Sequence, residues 1–323
     1  MPVQPETVAS SEIHSADLEQ HRRELTGYCY RMLGSFFEAD DAVQETMMRA
    51  WRGIERFEGR SSLRSWLYRI ATNVCLDLLR GRERRALPVD LGPSSTADAT
   101  LGPMLPEHAW VQPIPDGRVL PDGDPAELAV AKETIRLAFI TALQHLPARQ
   151  RAVLILREVL RWQATEVAEL LETSVASVNS ALQRARATLA AREGSSATSV
   201  TDPEQEALLV QYVDAFERYD ITRLVTLLHD DAVMSMPPYD LWLRGPVEMG
   251  RWFLGQGCGC QGSRLVPTAA NGCAAFGSYR PDGTGGYHPF ALQVIEVSGD
   301  RIVGHHNFLD TTLFAAFGLP AQL

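Results

Sequence analysis

Residues 165–186 read TEVAELLETSVASVNSALQRAR, and this stretch decides how the middle of the chain folds. Val167, Leu170 and Leu171 give a short helix one apolar face, and residues 172–174 form a tight turn. An apolar stripe at helical spacing follows, made of Val175, Val178, Leu182, Ala185 and Leu189. Two helices joined by so short a turn predict a helix-turn-helix, whose second helix enters the major groove of DNA.

The other faces of the second helix carry polar side chains that suit base recognition. Asn179 and Gln183 can pair with adenine, and Arg184 can pair with guanine or hold a phosphate. The small residues Ala176 and Ser177 near the start of the helix allow close approach to base edges. Taken alone, these residues leave open a plain hairpin of two helices in a bundle.

The overall composition limits the class of protein. With 45% hydrophobic and 22% charged residues, the chain is typical of globular proteins of several domains. A net charge of −10 argues against general coating of nucleic acid. The sequence contains no apolar run long enough to span a bilayer and no secretory leader at its start, so we expect a cytoplasmic protein without a membrane partner.

The five cysteines do not predict a disulfide framework, because their number is odd and Cys29 and Cys75 fall in helical patterns. Cys258, Cys260 and Cys273 could offer three thiolates to a metal ion, but the C-x-C spacing is a poor match to structural zinc. We therefore expect free thiols, no metal and no cofactor.

The pattern of residues divides the chain into five segments. Residues 17–85 follow helical spacing, 86–125 form a linker rich in Pro, Gly and Asp, and 126–193 return to helices, the first over 127–145. A second linker spans 194–202. Helices followed by short β-like runs over 203–323, at 232–236, 274–279, 290–297 and 301–308, predict an α+β domain. In the first linker, Trp110, Val111 and Ile114 are apolar anchors.

Two further clusters lie in the first helical segment. Aromatic and arginine side chains around the loop at residues 57–62 suit the stacking of single-stranded bases, although the spacing of Trp66 also fits a core position. Acidic residues at 40, 41 and 45 indicate either a basic protein partner or a solvated helix face.

Three motifs in order resemble regions 2 and 4 of the extracytoplasmic-function sigma factors. They are FFEADDAVQETMMRAW, FEGRSSLRSWLYRIATNVCLDLLR and LQHLPARQRAVLILREVLRWQATEVAELLETSVASVNSALQRARATL. The resemblance implies two all-α domains and docking on core RNA polymerase, at the clamp helices of β′ and the flap of β. It also implies that the linker runs toward the RNA exit path.

The resemblance assigns three sets of contact residues. The core polymerase would be contacted by Asp40, Asp41, Gln44, Glu45 and Arg49. The −10 element of the promoter DNA would be contacted by Phe57, Gly59, Arg60, Ser61, Arg64, Trp66, Asn73, Asp77 and Arg80. The −35 element would be contacted by Thr165, Ser174, Ser177, Asn179, Gln183, Arg184 and Arg186. Because residues 174–186 carry only Arg184 and Arg186 as cations, we expect this helix to bind DNA detectably only in the holoenzyme.

The C-terminal segment resembles the SnoaL-like domains of the NTF2 fold. The residues that carry this resemblance are EALLVQYVDAFERYDITRLVTLLHDDAVMSMPP, WLRGPVEMGRWF and FLDTTLFAAFGLP. It implies an α+β cone with a pocket, for which the candidate lining residues are Tyr239, Trp242, Arg244, His288, His305 and Asp310. His305 and His306 should point to opposite faces of a strand.

The C-terminal domain leaves two functions open. One is a sigma factor that this domain regulates, without catalysis. The alternative is an enzyme or receptor for a small-molecule ligand, which the helical domains deliver to DNA.

Overall fold

The computed structural model describes residues 15–59, 61–190 and 203–323. The predicted second linker at 194–202 and the predicted −10 contact Arg60 lie outside these ranges. Among the residues that are described, no helix combines the length and the apolar character needed to cross a membrane.

The N-terminal helical domain contains α1 (Ser15–Glu19), α2 (Arg22–Leu33), α3 (Phe36–Gly53) and α4 (Leu63–Leu78). Ser35 begins α3 with a cap, since its hydroxyl accepts a hydrogen bond from the Glu38 N–H at 3.3 Å. Ser62 caps α4 in the same way through the Ser65 N–H at 3.1 Å. Gly34 ends α2 with a φ of 69°, which an L side chain rarely adopts. These local signals fix the three long helices around one apolar core.

The first linker is packed against the rest of the protein along much of its length. It forms three short 3₁₀ turns, at Pro88–Asp90, Glu107–Ala109 and Asp116–Arg118. Trp110, Val111 and Ile114 are buried, which confirms them as anchors. Ala86 pairs with Trp110 in a single parallel bridge, so the segment between them forms a closed loop.

The second helical domain contains α5 (Pro125–Glu133), α6 (Leu137–Gln144), α7 (Ala148–Leu154), α8 (Ala164–Leu170) and α9 (Val175–Ala190). The predicted single helix over 127–145 is wrong, because the backbone is extended at Arg136 (ψ 144°) and separates α5 from α6. A π-helical turn at Ile155–Val159 continues α7. The predicted helix-turn-helix is present as α8 and α9, with the turn at residues 171–174.

The two helical domains pack directly on each other. Arg151 in the middle of α7 is buried and donates to the Met32 carbonyl of α2, to the Gln144 side chain at 2.7 Å and to two further carbonyls. Burial lowers the pKa of this guanidinium to about 10, so it stays charged at neutral pH. A buried guanidinium that donates to acceptors in both domains fixes the relative orientation of the two domains.

The C-terminal domain is an α+β unit built on one six-stranded sheet. Its helices are α10 (Pro203–Glu217), α11 (Ile221–Thr226), α12 (Gly245–Leu254) and α13 (Leu313–Ala316). Its strands are β1 (Leu228–Ser235), β2 (Trp242–Arg244), β3 (Arg264–Ala270), β4 (Cys273–Pro281), β5 (Tyr287–Ser298) and β6 (Arg301–Phe308). The order is β2-β1-β6-β5-β4-β3, and only the β1–β6 pair is parallel.

The two faces of this sheet belong to different cores. One face packs on α10, α11 and α12 through residues such as Phe276, Ile295 and Met234. The other face, with Ala275, Val294 and Phe308, belongs to the same continuous apolar cluster as both helical domains. The C-terminal domain is therefore joined to the helical domains by buried contact, in addition to the chain connection.

Candidate functional site

The polar face of α9 is open to solvent. The predicted DNA-reading side chains of this region are all exposed, namely Thr165, Ser174, Ser177, Asn179, Gln183, Arg184 and Arg186. Val178, Leu182 and Ala185 of the predicted stripe are buried beneath them, but Val175, the first residue of the helix, is exposed and Leu189 is only half-buried. Ser174 caps α9, since its hydroxyl accepts from the Ser177 N–H at 3.1 Å. The arrangement presents a polar helix face to solvent, as expected for the second helix of a helix-turn-helix.

Two arginines of this face are held by intramolecular bonds. Arg184 donates to the Ser180 hydroxyl at 2.6 Å, one helical turn back. Arg186 pairs with Glu158 at 2.5 Å. Both pairs are exposed and weak, so DNA phosphates or bases can replace them at little cost.

The predicted −10 region is partly covered by the second helical domain. The Arg64 guanidinium lies over the rings of Tyr68 and Trp162, at 5.2 and 5.4 Å from their centroids, and pairs with Glu24 at 2.8 Å. Tyr68 and Trp162 also contact each other, with centroids 5.1 Å apart. Because Trp162 belongs to the second helical domain, Arg64 and Tyr68 are engaged across the domain boundary.

The remaining predicted −10 residues are spread along the loop and α4. Trp66 is half-buried and stacks on Phe57 at 5.1 Å, so it is in part a core side chain. Gly59, Asn73, Asp77 and Arg80 are exposed, and Ser61 is half-buried. Asp77 and Arg80 pair with each other at 3.0 Å.

The acidic cluster of α3 is partly occupied by the linker. Arg118 of the linker pairs with Asp40 at 2.5 Å, and Gln44 donates to the same carboxylate at 2.9 Å. Asp41 is exposed, and Glu45 and Arg49 pair with each other at 2.6 Å. The linker therefore pairs with one of the residues that are predicted to contact a basic protein partner.

Asn271, at the tip of the β3–β4 hairpin, is fully buried where three other parts of the chain meet. Its side-chain oxygen accepts from the Ile114 N–H of the linker at 3.0 Å. Its side-chain nitrogen donates to the Tyr30 hydroxyl at 2.7 Å and to the Ile135 carbonyl at 2.6 Å. One amide thus contacts the first helical domain, the linker and the second helical domain.

The backbone around Asn271 strengthens this junction. Asn271 and Gly272 have φ values of 56° and 72°, as in the tight hairpin turn that an Asn-Gly pair favours. Asp116 of the linker accepts from the Gly272 N–H at 2.8 Å, and burial raises the pKa of this carboxyl. A Cβ at position 272 would lie 2.9 Å from the Cβ of Lys132, so only glycine fits against α5.

The linker also runs along β2 and α12 of the C-terminal domain. The Trp242 indole donates to the Gly92 carbonyl at 2.9 Å, and the Ser95 N–H donates to the Trp242 carbonyl at 2.8 Å. The Glu248 carboxylate accepts from the Ala97 N–H at 2.7 Å. The linker is thereby attached to the C-terminal domain at its centre as well as at Ile114.

The six predicted pocket residues are not on one face of the sheet. Register aligns Ser235 with both Trp242 and His306, so Trp242 lies on the face opposite His305. Arg244 is exposed and stacks on Trp242 at 5.4 Å, and His288 is exposed on β5. Asp310 accepts from the Thr312 N–H at 3.0 Å, and Tyr239 is half-buried.

The paired histidines point to opposite faces, as predicted. His305 lies 2.8 Å from the Tyr212 hydroxyl inside the helix-covered face, and burial lowers its pKa to about 3. His306 lies 2.8 Å from the Ser235 hydroxyl and 3.6 Å from the Glu296 carboxylate on the other face. Burial opposes ionisation of Glu296, but the hydrogen bond from His306 keeps the pKa of Glu296 below its usual value.

The three C-terminal cysteines have different surroundings. Cys258 is exposed, Cys260 is buried against Arg280 at 3.3 Å, and Cys273 lies 3.9 Å from Arg136 of the second helical domain. Within the described part of the chain, no group of three or more His, Cys, Asp or Glu side chains is placed to hold a metal ion.

Sequence reasoning missed the functional contacts of Asn271, Trp162 and Arg118. The Asn271-Gly272 dipeptide is a strong hairpin signal, so the turn could have been predicted. Its burial between domains could not, because no local pattern encodes contacts between segments more than a hundred residues apart. The pairing of Arg118 with Asp40, 78 residues apart, is likewise not encoded in any local pattern.

Comparison with known proteins agrees with this architecture. Residues 18–85 match the family Sigma-70 region 2, and residues 136–189 match Sigma-70, region 4. The chain is 46% identical over 317 residues to the ECF RNA polymerase sigma factor SigG of Mycobacterium tuberculosis, which covers 96% of this chain and 84% of that protein. It is 26% identical over 293 residues to the sigma factor SigJ of the same organism, covering 88% of this chain and 86% of that protein.

A solved structure shares the whole fold. The crystal structure of Mycobacterium tuberculosis extracytoplasmic function sigma factor SigJ matches with a TM-score of 0.60 and 23% sequence identity. The match covers 95% of this chain and 100% of that chain. The predicted combination of two helical domains and a C-terminal α+β domain is thereby confirmed.

The buried His305 predicts an acid-sensitive stability. Its pKa is depressed from about 6.5 in the unfolded chain, so its stabilising effect is complete above that pH and is lost as the pH falls toward 3. Between pH 7 and pH 5 we expect a loss of about 2 kcal/mol from this residue, to be measured by urea unfolding. His305→Gln should flatten that dependence, whereas the exposed His108→Gln should not. Equal slopes for wild type and His305→Gln would contradict the assignment.

Proposed function

The chain belongs to the extracytoplasmic-function sigma factors of the sigma-70 family, which direct promoter-specific transcription initiation, and we propose that its C-terminal domain regulates this activity by holding the two sigma domains in a closed arrangement. The observation that carries the proposal is the Asn271 amide, which bonds to both sigma domains and to the linker between them. We name the N-terminal helical domain σ2 and the second helical domain σ4.

The distance between the two promoter elements exceeds what the closed arrangement can span. The −10 and −35 elements are centred about 25 base pairs apart, which is about 85 Å of duplex at 3.4 Å per pair. In this arrangement α4 of σ2 lies directly against α8 of σ4, with Arg69 and Glu169 3.9 Å apart. Simultaneous contact with both elements therefore requires the two sigma domains to separate.

The closed arrangement also competes with the proposed ligands of σ2. We assign contact with core polymerase to Asp40, Asp41, Gln44, Glu45 and Arg49, and Arg118 of the linker already neutralises Asp40. We assign contact with the −10 element to the loop after α3 and to α4, where Trp162 of σ4 covers Arg64. Core polymerase and promoter DNA must displace both contacts, so their binding favours the open form.

The −35 surface is different, because α9 is exposed in the closed form. We assign DNA recognition there to Asn179, Gln183 and Arg184, flanked by the other predicted side chains of α8 and α9. The C-terminal domain then regulates mainly the contacts of σ2 with its ligands and the distance between σ2 and σ4. This arrangement fits a helix that only discriminates between sequences, while polymerase supplies most of the affinity.

We assign the C-terminal domain a regulatory and not a catalytic role. Its two buried histidines are each held by neighbouring side chains, His305 by Tyr212 and Asn307 and His306 by Ser235 and Glu296. The low pKa of His305 keeps it neutral at physiological pH. The side of the C-terminal domain that faces the helical domains forms a surface on which they dock. This supports regulation by contact between the domains.

The junction is tested by Asn271→Ala. The variant removes the partner of the Ile114 N–H and of the Ile135 carbonyl and leaves the Tyr30 hydroxyl only its bond to the Gln112 carbonyl, which weakens the closed form by about 2–4 kcal/mol. We expect affinity for core polymerase to rise at least about tenfold in an equilibrium titration, because 1.4 kcal/mol corresponds to tenfold. The matched control is Gln211→Ala, at an exposed position of α10. Unchanged affinity in Asn271→Ala would contradict regulation by closure.

The DNA assignment is tested by Arg184→Ala. If Arg184 contacts a base, its loss costs the holoenzyme about 1–3 kcal/mol at the matching −35 position and relaxes the preference there. Run-off transcription from templates with each base at that position measures the effect. Arg218→Ala, an exposed arginine of the C-terminal domain, is the control. Uniform weakening on every template would reassign Arg184 to a phosphate.

A further inference from the structure

The 3₁₀ turn at Gln256–Cys260 joins two features that the regulation by closure leaves unused. It carries Cys258 and Cys260, separated by one glycine, and it begins with Gln256, which binds the linker. The Gln256 amide donates to the Ala99 carbonyl at 2.8 Å and to the Ala97 carbonyl at 3.3 Å. A change in the backbone of this turn is therefore transmitted to the linker.

We propose that Cys258 and Cys260 form a redox-sensitive dithiol, which hydroperoxides convert into a disulfide that releases the linker from the C-terminal domain. The release rests on the proposed function, since it matters only if the C-terminal domain holds the linker. The formation of the disulfide does not depend on it.

The two thiols have complementary surroundings. Cys258 is exposed, so an oxidant in solution reaches its sulfur. Cys260 is buried, and the Arg280 guanidinium donates to its sulfur at 3.3 Å. This contact holds the Cys260 sulfur beneath the turn, so the exposed Cys258 is the sulfur that meets the oxidant first. Arg280 is itself fixed, because its guanidinium lies over the Phe290 ring at 3.2 Å.

The chemistry proceeds in two balanced steps. The Cys258 thiol attacks the outer oxygen of the hydroperoxide, which gives a sulfenic acid at Cys258 and one molecule of the corresponding alcohol, or water when the oxidant is hydrogen peroxide. The Cys260 sulfur then attacks the Cys258 sulfur and displaces the hydroxyl group, which leaves as water with the proton of the second thiol. The disulfide has lost two electrons and two protons to the peroxide, and a thiol reductant restores both cysteines.

The disulfide cannot form inside the observed turn. Side chains two positions apart in a 3₁₀ helix point about 120° away from each other, at three residues per turn. Two residues apart, the Cα atoms are at most about 7 Å from each other, so a rearranged backbone can meet the requirement of a disulfide. Glycines at 255, 257, 259 and 262 allow that rearrangement.

Formation of the Cys258–Cys260 disulfide changes the contacts that hold the linker. The turn depends on hydrogen bonds from the Cys258 N–H to the Gly255 carbonyl at 3.1 Å and from the Gln261 N–H to the Cys258 carbonyl at 3.0 Å. Moving Cys260 toward Cys258 breaks this pattern and shifts Gln256, two residues before Cys258. The Ala97 and Ala99 carbonyls then lose their donor, and this part of the linker opens more often.

The test uses the full-length protein, treated with a small molar excess of hydrogen peroxide and digested with trypsin. Residues 252–264 form one tryptic peptide that contains both cysteines and no other. Mass spectrometry should show the loss of two hydrogens from this peptide, reversed by a thiol reductant. Cys29 and Cys75, which are fully buried, should stay reduced. Cys258→Ser and Cys260→Ser should each abolish the loss.

Hydrogen exchange follows the linker in the same samples. Oxidation should speed exchange at residues 97–99 about tenfold, and reduced Gln256→Ala should reproduce that change without oxidant. The internal control is the pair of amides at the other end of the linker loop, where the Ala86 N–H donates to the Ala109 carbonyl and the Val111 N–H to the Ala86 carbonyl.

Mass spectrometry and hydrogen exchange test the disulfide and the release of the linker separately. A peptide that stays reduced, or that only gains oxygen at Cys258, overturns the dithiol. A disulfide with unchanged exchange at residues 97–99 overturns the release. If Gln256→Ala leaves exchange unchanged, the hold of the C-terminal domain on this part of the linker is contradicted, whatever the cysteines do.

Discussion

The closed arrangement depends on one buried amide, the side chain of Asn271. An amide removed from water must find hydrogen-bond partners, and an unsatisfied one costs more than an ordinary hydrogen bond contributes. Asn271 finds its partners on Tyr30, Ile114 and Ile135, in σ2, the linker and σ4. The break between α5 and α6 lies at this point, and the extended backbone there leaves the Ile135 carbonyl free to accept. Separation of any one of the three segments leaves the amide incomplete.

Some of the other contacts that close the molecule are exposed and can be exchanged, whereas the Arg151 contacts and the shared apolar cluster are buried. Arg118 with Asp40 and Arg23 with Asp122 are exposed ion pairs, each worth at most about 1 kcal/mol. The stack of Arg64 on Trp162 is half-open to solvent, and nucleic-acid bases can replace the aromatic ring. A closed form built this way is stable in the free protein and yields to a partner with larger complementary surfaces.

Patterns among neighbouring residues predicted most of the helices and strands. They did not predict the contacts between segments that are distant in the sequence. The stripe of Val178, Leu182 and Ala185 specified α9 and its exposed polar face, because helical spacing is encoded in neighbouring residues. Trp110, Val111 and Ile114 marked the anchors of the linker because they are apolar residues in a segment rich in Pro, Gly and Asp. The strands β2 and β3 were missed, since β2 has only three residues and β3 contains Pro267. The predicted pocket residues come from both faces of the sheet. Only the pairing register of the strands shows that Trp242 and His305 lie on opposite faces.

The central claim is that the two sigma domains are held together in the free protein and separate on the polymerase. The most direct measurement is the distance between spin labels at Glu55→Cys in σ2 and Ala187→Cys in σ4, in a Cys258→Ser background, by pulsed electron resonance. The account predicts one short, narrow distance in the free protein and an increase of tens of ångströms when core RNA polymerase is added. A long or broad distance in the free protein, or the same short distance on the polymerase, would contradict it.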